Sequence, residues 1–198
     1  MQKLEVVNEN EVVIERKQIR EYLEEVKMPA LRKNLLRLYD DIEVKLKENP
    51  ASIKYHHNYT SGLYVHTLEV MEYAVGIFEL YKDQFVNYFN RDDVILVSFI
   101  HDLEKTTKYK RNMSLNVGRN KWETEFLYND KKIDMNDSAE VVNIVSRYGI
   151  FLTDMQLHAI AYHHGGYSTD KGQMEAIACL LHAADLFSTR MGVIHKLI

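Results

Sequence analysis

Five side chains of two chemical kinds stand at the right kind of places to form one site: the adjacent pair His101-Asp102, and the candidates His66, His163 and Asp185. His101-Asp102 closes the apolar run Val94-Ile-Leu-Val-Ser-Phe-Ile, which reads as a buried helix. An aspartate carried inward by such a helix needs a partner, because stripping its charge of water costs several kcal/mol, roughly, and a bound cation is one common remedy. His66, His163 and Asp185 are the available partners. Mixed imidazole and carboxylate donors suit manganese, iron, cobalt, nickel or zinc, whereas magnesium prefers more oxygen. Cys179 is the single cysteine, so no thiolate cluster competes and no intrachain disulfide forms. The expectation is a divalent-metal site assembled from several helices.

Those helices can be read from periodicity. Val12, Ile19, Tyr22, Leu23 and Val26 trace an amphipathic helix from Val12 to Val26, and residues 1–10 read as a short strand or an irregular arm. Pro29 suits a first helical turn, and Leu31, Leu35, Leu38, Ile42 and Leu46 share a face to about Lys47. The segment from Ala51 to Gly62 is polar, aromatic and basic, an ordered loop closed by Ser61-Gly62. The next helix spans about Leu63 to Lys82, with His66 near its first turn and facing an apolar stripe. A buried helix then runs from Asp93 into His101-Asp102-Leu-Glu-Lys105. Residues 113–133 lose the helical period; Trp122, Thr124, Phe126 and Tyr128 alternate, which predicts a small β-hairpin. Asn136 and Thr153 are caps for helices reaching Tyr148 and His163, and a last helix, about Gln173 to Met191, carries Asp185 on an otherwise apolar stripe.

Each site residue also has an ordinary explanation when taken alone. His66 as a core histidine bonded to a carbonyl is the better single reading. Asp185 could pair with an arginine, and His163-His164 could simply favour the negative end of a helix dipole. What these explanations leave out is that every one of these groups falls at a helix end or on an inward stripe.

In order and on separate helices, His66, His101-Asp102 and Asp185 resemble the H...HD...D signature of the HD-domain phosphohydrolase superfamily. Ser61-Gly-Leu-Tyr-Val-His66-Thr-Leu-Glu-Val looks like its first motif, and His101-Asp-Leu-Glu-Lys105 like its second. Ala159-Ile-Ala-Tyr-His163-His-Gly-Gly and Leu181-His-Ala-Ala-Asp185 resemble the later ones. Small bacterial or phage HD hydrolases, with a loop like Ala51 to His56, are the most similar group. The resemblance implies an all-α HD helical bundle with a small β-hairpin insertion, formed by residues 1–198 as one domain: N-terminal helices over 1–50 and a metal-site core over 51–192. It implies a metal held by His66, His101, Asp102 and Asp185, and hydrolysis of a phosphorus–oxygen bond. The chain departs from the pattern at Glu104, where a small residue is usual, and at Asn136-Asp137, where two-metal members often have a histidine. Asp137 and His163 are the candidates for a second metal.

The chemistry expected of these residues is simple. A divalent ion acidifies water and polarises a phosphoryl oxygen, and Asp102 both ligates and orients. Lys105, with Lys108 or Arg111, offers positive charge to the phosphoryl oxygens, as do Lys54 and His56 from the preceding loop. His163 serves as a second-metal ligand or as a proton donor to the leaving group. Trp122, Phe126 and Tyr128 could stack a base, although packing of the hairpin against the bundle is the simpler role.

Composition narrows the class. The chain has 198 residues, 46% hydrophobic and 27% charged, enough for one domain with a real core. A net charge of −4 disfavours affinity based on neutralising duplex phosphates and suits a small phosphorylated substrate such as a nucleotide. Neither a membrane span nor a signal peptide is evident, so a cytoplasmic location is expected. The amphipathic N-terminal helix could pair with a second copy in a homodimer. The expected function is a metal-dependent phosphohydrolase acting on a nucleotide or related small phosphate ester. The alternatives are a nuclease acting on single-stranded ends and a non-catalytic nucleotide-binding module.

Overall fold

The computed structural model describes residues 16–116, 118, 120–133, 135–165 and 174–194, without the side chains of 116, 121–123, 193 and 194. The arm expected over residues 1–10, the start of the helix expected at Val12, and Gln173 lie outside the described residues. The elements are α1 (Ile19–Glu24), α2 (Pro29–Glu48), α3 (Gly62–Phe85), α4 (Arg91–Ile100), α5 (Lys105–Lys108), β1 (Tyr109–Asn116), β2 (Lys121–Tyr128), α6 (Asp137–Ser146), α7 (Asp154–Tyr162) and α8 (Ala176–Ile194). The fold is mostly helical with one hairpin, as the sequence leads one to expect.

Caps set the helix starts. Asn90 accepts from the backbone N–H groups of Asp92 and Asp93 while the Asp93 carboxylate returns a bond to Asn90, so α4 begins with two otherwise orphaned donors satisfied. Thr153 and Gln156 do the same for α7, and the Asn136 side chain accepts from Ser138 and Ala139 at the head of α6. Pro29 stands in the first turn of α2, where its missing N–H costs nothing.

α4 is the inner rod. Every residue from Val94 to Ile100 is buried, and α3 packs against both it and α8 while α7 lies along α8. Removing so many apolar side chains from water at roughly 25 cal/mol per Å² is the main force holding these helices at fixed spacing. The core runs from Ile19 and Leu23 through Leu35, Leu38, Met71 and Phe99 to Ile160 and Leu181. Among the described residues, no helix is long and apolar enough to cross a membrane.

Two expectations are corrected. The helix ends at Ile100 instead of continuing to Lys105; the backbone then turns on three-residue bonds, Leu103 to Ile100, Lys105 to Asp102 and Thr106 to Leu103. This tightening leaves His101-Asp102 just beyond the last turn of α4. The hairpin begins earlier than residue 113, pairing Tyr109 with Tyr128 through to Asn116 with Lys121. Its main contact is with α5; Met113, Leu115 and Tyr128 are exposed, and only Phe126 is buried among its described side chains. The Trp122 side chain lies outside the described set.

Candidate metal centre

Three helix-borne segments deliver the donors. His66 sits one turn into α3, His101-Asp102 follows α4, and Asp185 lies midway along α8; all are buried. His66 Nε2 lies 3.2 Å from Asp102 Oδ2, 3.2 Å from Asp185 Oδ1 and 3.3 Å from His101 Nε2. His101 Nε2 is 3.4 Å from Asp102 Oδ2. The structure therefore brings His66, His101 and Asp102 together as one group able to hold an ion, with Asp185 beside it at His66.

The other ring nitrogens decide what those atoms are. His101 Nδ1 is 2.8 Å from the Ser98 carbonyl, which can only accept, so Nδ1 carries the proton and the neutral ring presents a bare Nε2. His66 Nδ1 is 2.9 Å from Ser188 Oγ, whose own proton goes to Glu69 Oε2 at 2.7 Å. Ser188 must then accept from His66, leaving His66 Nε2 bare as well. The ring nitrogens and the carboxylates of Asp102 and Asp185 gather here, with Lys105 donating to Asp102 from one side. Bonds of about 2.0–2.2 Å to a shared ion place neighbouring ligand atoms roughly 3.0–3.5 Å apart, the spacing found among His66, His101 and Asp102 and between His66 and Asp185. The donor set fits a divalent cation.

Electrostatics show the same demand for positive charge. Burial opposes protonation of His66, yet the carboxylates of Asp102 and Asp185 outweigh it and raise its pKa. Burial also works against ionising Asp102 and Asp185. Lys105 and His101 overcome it for the first, His164 and His66 for the second, and both carboxyls stay well below the usual range. Lys105 Nζ lies 2.5 Å from Asp102 Oδ2. His101, equally buried, is pushed down chiefly by desolvation.

A second set of atoms opens beside the first. His163, at the end of α7, gives its Nδ1 proton to the Ile160 carbonyl at 2.7 Å, and its bare Nε2 lies 3.7 Å from Asp102 Oδ1. Both atoms are buried without a hydrogen-bond partner. His164 Nδ1 approaches Asp185 Oδ2 at 3.5 Å, and Asp102, His163 and His164 form a further group able to hold an ion.

The remaining expected residues divide. His56 is half-buried with its ring 4.8 Å from that of His66; burial and the neighbouring His66 push its pKa down to about 3. Lys54 is exposed on the same loop. Asp137 is engaged by Lys108, whose Nζ lies 2.8 and 2.7 Å from its two carboxylate oxygens. Arg111 is exposed on β1 and bonds Thr124 Oγ1 across the hairpin at 3.3 Å. Residues missed from sequence are His57, Glu69 and Ser188. Glu69 and Ser188 each stand three positions after a candidate ligand, one helical turn on, which is the only signal that points to them.

The HD domain family matches residues 63–190. The chain is 34% identical over 71 residues, 36% of its length, to the dihydroneopterin 2',3'-cyclic phosphate phosphodiesterase of Methanocaldococcus jannaschii, covering 28% of that protein. It is 25% identical over 183 residues, 90% of its length, to the 3'-5' exoribonuclease YhaM of Bacillus subtilis, covering 54% of it. The corresponding enzyme of a Geobacillus strain is equally similar, with 52% covered. The chain thus spans about half or less of the length of these relatives. No solved structure matches it significantly. With the match extending from the first turn of α3 into α8 and taking in every donor described above, the chain belongs to the HD domain family.

Proposed function

We propose that this protein is a divalent-metal-dependent phosphodiesterase-type hydrolase, with His66, His101, Asp102 and Asp185 as the metal ligands and a nucleotide-like phosphate ester as substrate. The observation that carries the reading is the meeting of His66 and His101 Nε2 with Asp102, and of His66 with Asp185, where two carboxylates face one lysine, Lys105. Support also comes from the relatives, one acting on a cyclic phosphate and two on RNA by name. Manganese, iron, cobalt, nickel or zinc suits the two imidazoles better than magnesium does.

A cation there supplies Lewis acidity to a phosphoryl oxygen and acidifies water. The chain's own groups do the rest. Asp102 would help to hold the ion, and its unpartnered Oδ1 offers an acceptor to orient the attacking water. His163 Nε2, bare and 3.7 Å from Oδ1, takes the proton released as water attacks phosphorus. As the phosphorus–oxygen bond breaks, the same nitrogen returns the proton to the leaving oxygen. Lys105, buried and charged beside Asp102, meets the charge that grows on the phosphoryl oxygens. A second ion would take Asp102 with His163 and His164, in place of the expected pairing with Asp137, since Lys108 holds Asp137.

Action on the 3' end of single-stranded RNA is the second reading, favoured by the two relatives that align along 90% of the chain. The test is hydrolysis by metal-stripped chain resupplied with manganese, cobalt or magnesium. The substrates are a nucleoside 2',3'-cyclic phosphate, mononucleotides and a single-stranded oligoribonucleotide. Cleavage of the cyclic phosphate or the oligomer, dependent on added metal, is expected; nucleotide binding with no hydrolysis of any of them would contradict it.

A further inference from the structure

Behind the ligand His66 lies a buried polar group that the proposed chemistry does not use. Glu69, one turn along α3, is 3% exposed, and a single oxygen, Oε2, receives two bonds: from Ser188 Oγ of α8 at 2.7 Å and from His57 Nε2 at 3.1 Å. Burial works against this carboxylate, but the bonds from His57 and Ser188 prevail and keep it ionised. Arg16 approaches its other oxygen at 3.9 Å.

His57 is held unusually. It is fully buried, and its φ of 46° lies in the left-handed region that non-glycine residues seldom adopt. Its ring fills the space over Gly192 of α8, where a Cβ would come within 2.3 Å of it, and its carbonyl oxygen lies 1.9 Å from where a Cβ on Gly62 would stand. Two close glycine approaches and a strained backbone thus fix one imidazole. The turn brings the preceding residue, His56, beside His66, with His56 Nδ1 3.1 Å from His57 Nδ1.

We propose that Glu69 is a positioning residue with two arms: through Ser188 it fixes His66 in the tautomer that can bind metal, and through His57 it anchors the loop carrying His56. The proposal rests on the reading of His66 as a metal ligand. The proton logic sets the first arm. Without Glu69 the Ser188 hydroxyl is free to donate to His66 Nδ1, which sends the ring proton to Nε2 and blocks the ligand position. The second arm is mechanical, since it ties a strained loop to the same carboxylate.

The two arms separate by experiment. Cobalt affinity is measured by chelator competition together with the visible absorption of the bound ion, and loop anchoring by the rate of tryptic cleavage after the exposed Lys54. Ser188→Ala should weaken cobalt binding about 10- to 100-fold and shift its spectrum while leaving cleavage at Lys54 unchanged. His57→Asn, which tolerates the left-handed backbone, should speed that cleavage and leave cobalt affinity within a few-fold. Glu69→Leu should do both. Cobalt binding within twofold of the unchanged chain in both Ser188→Ala and Glu69→Leu would overturn the proposal; if Glu69→Leu fails to fold, Ser188→Ala decides the first arm alone. Failure of the unchanged chain to bind cobalt would remove the metal reading and this proposal together. Tight cobalt binding without phosphoester hydrolysis would remove only the catalytic reading.

Discussion

Glu104 provides a measurement that needs no substrate. Its carboxyl is 1% exposed, neither oxygen has a hydrogen-bond partner, and Lys108 Nζ approaches only to 3.9 Å. Burial first, and then the neighbouring Asp102 charge, raise its pKa from the ordinary 4.5 to about 8. A carboxyl raised on folding is protonated in the folded chain where the unfolded chain has already lost its proton. Its contribution to stability is therefore fully present below pH 4.5 and is lost as pH rises to 8. That interval corresponds to an upper bound of roughly 5 kcal/mol, and water penetration and relaxation around the ionised group reduce it to about 2–3 kcal/mol. Glu104→Gln keeps the shape and cannot ionise. Urea unfolding of metal-stripped protein at pH 5, 7 and 9 should show the two chains within about 1 kcal/mol at pH 5 and the glutamine variant more stable by about 2–3 kcal/mol at pH 9, with unchanged m. Bound metal should flatten the pH dependence, because a cation nearby favours ionised Glu104. A glutamine variant no more stable than the parent at pH 9 would refute the reasoning.

Other outcomes follow from the same geometry. Asp102→Ala and Asp185→Ala should lose bound metal with activity, read by elemental analysis after gel filtration. They should also lose the gain in thermal stability that saturating metal gives the unchanged chain, about 2.7 kcal/mol at a hundredfold excess over Kd. His163→Gln should keep the metal at the His66 site and lower kcat by about 10²–10⁴. Gly192→Ala places a methyl group 2.3 Å from the His57 ring, so it should destabilise the fold by about 1–3 kcal/mol and speed proteolysis of the 50–61 loop.

The inward placement of His66, His101-Asp102 and Asp185 was legible because each announces itself against a simple background. An ionisable group at the end of an apolar run, or on an apolar helical stripe, stands out in one dimension. The pairing of Asp137 was not legible, because it depends on the turn after Ile100 that starts α5 late and sends Lys108 across to the head of α6. Nor was the hairpin's stance: alternation at Thr124, Phe126 and Tyr128 predicts strands, but only tertiary contact tells whether either face is covered. The Glu69 group is the clearest case. Its members come from a loop, α3 and α8, and His57 reaches its place only through a positive φ that no residue pattern encodes. Gly62 and Gly192 are the trace it leaves in the sequence, and a glycine alone does not say what approaches it.

Crystals of the protein soaked in manganese test the central claim most directly, through the anomalous difference density. The account predicts a peak bonded at once to His66 Nε2, His101 Nε2, Asp102 and Asp185, at about 2.0–2.3 Å from each. No peak among these four residues at saturating manganese, or one held by other side chains alone, would contradict it.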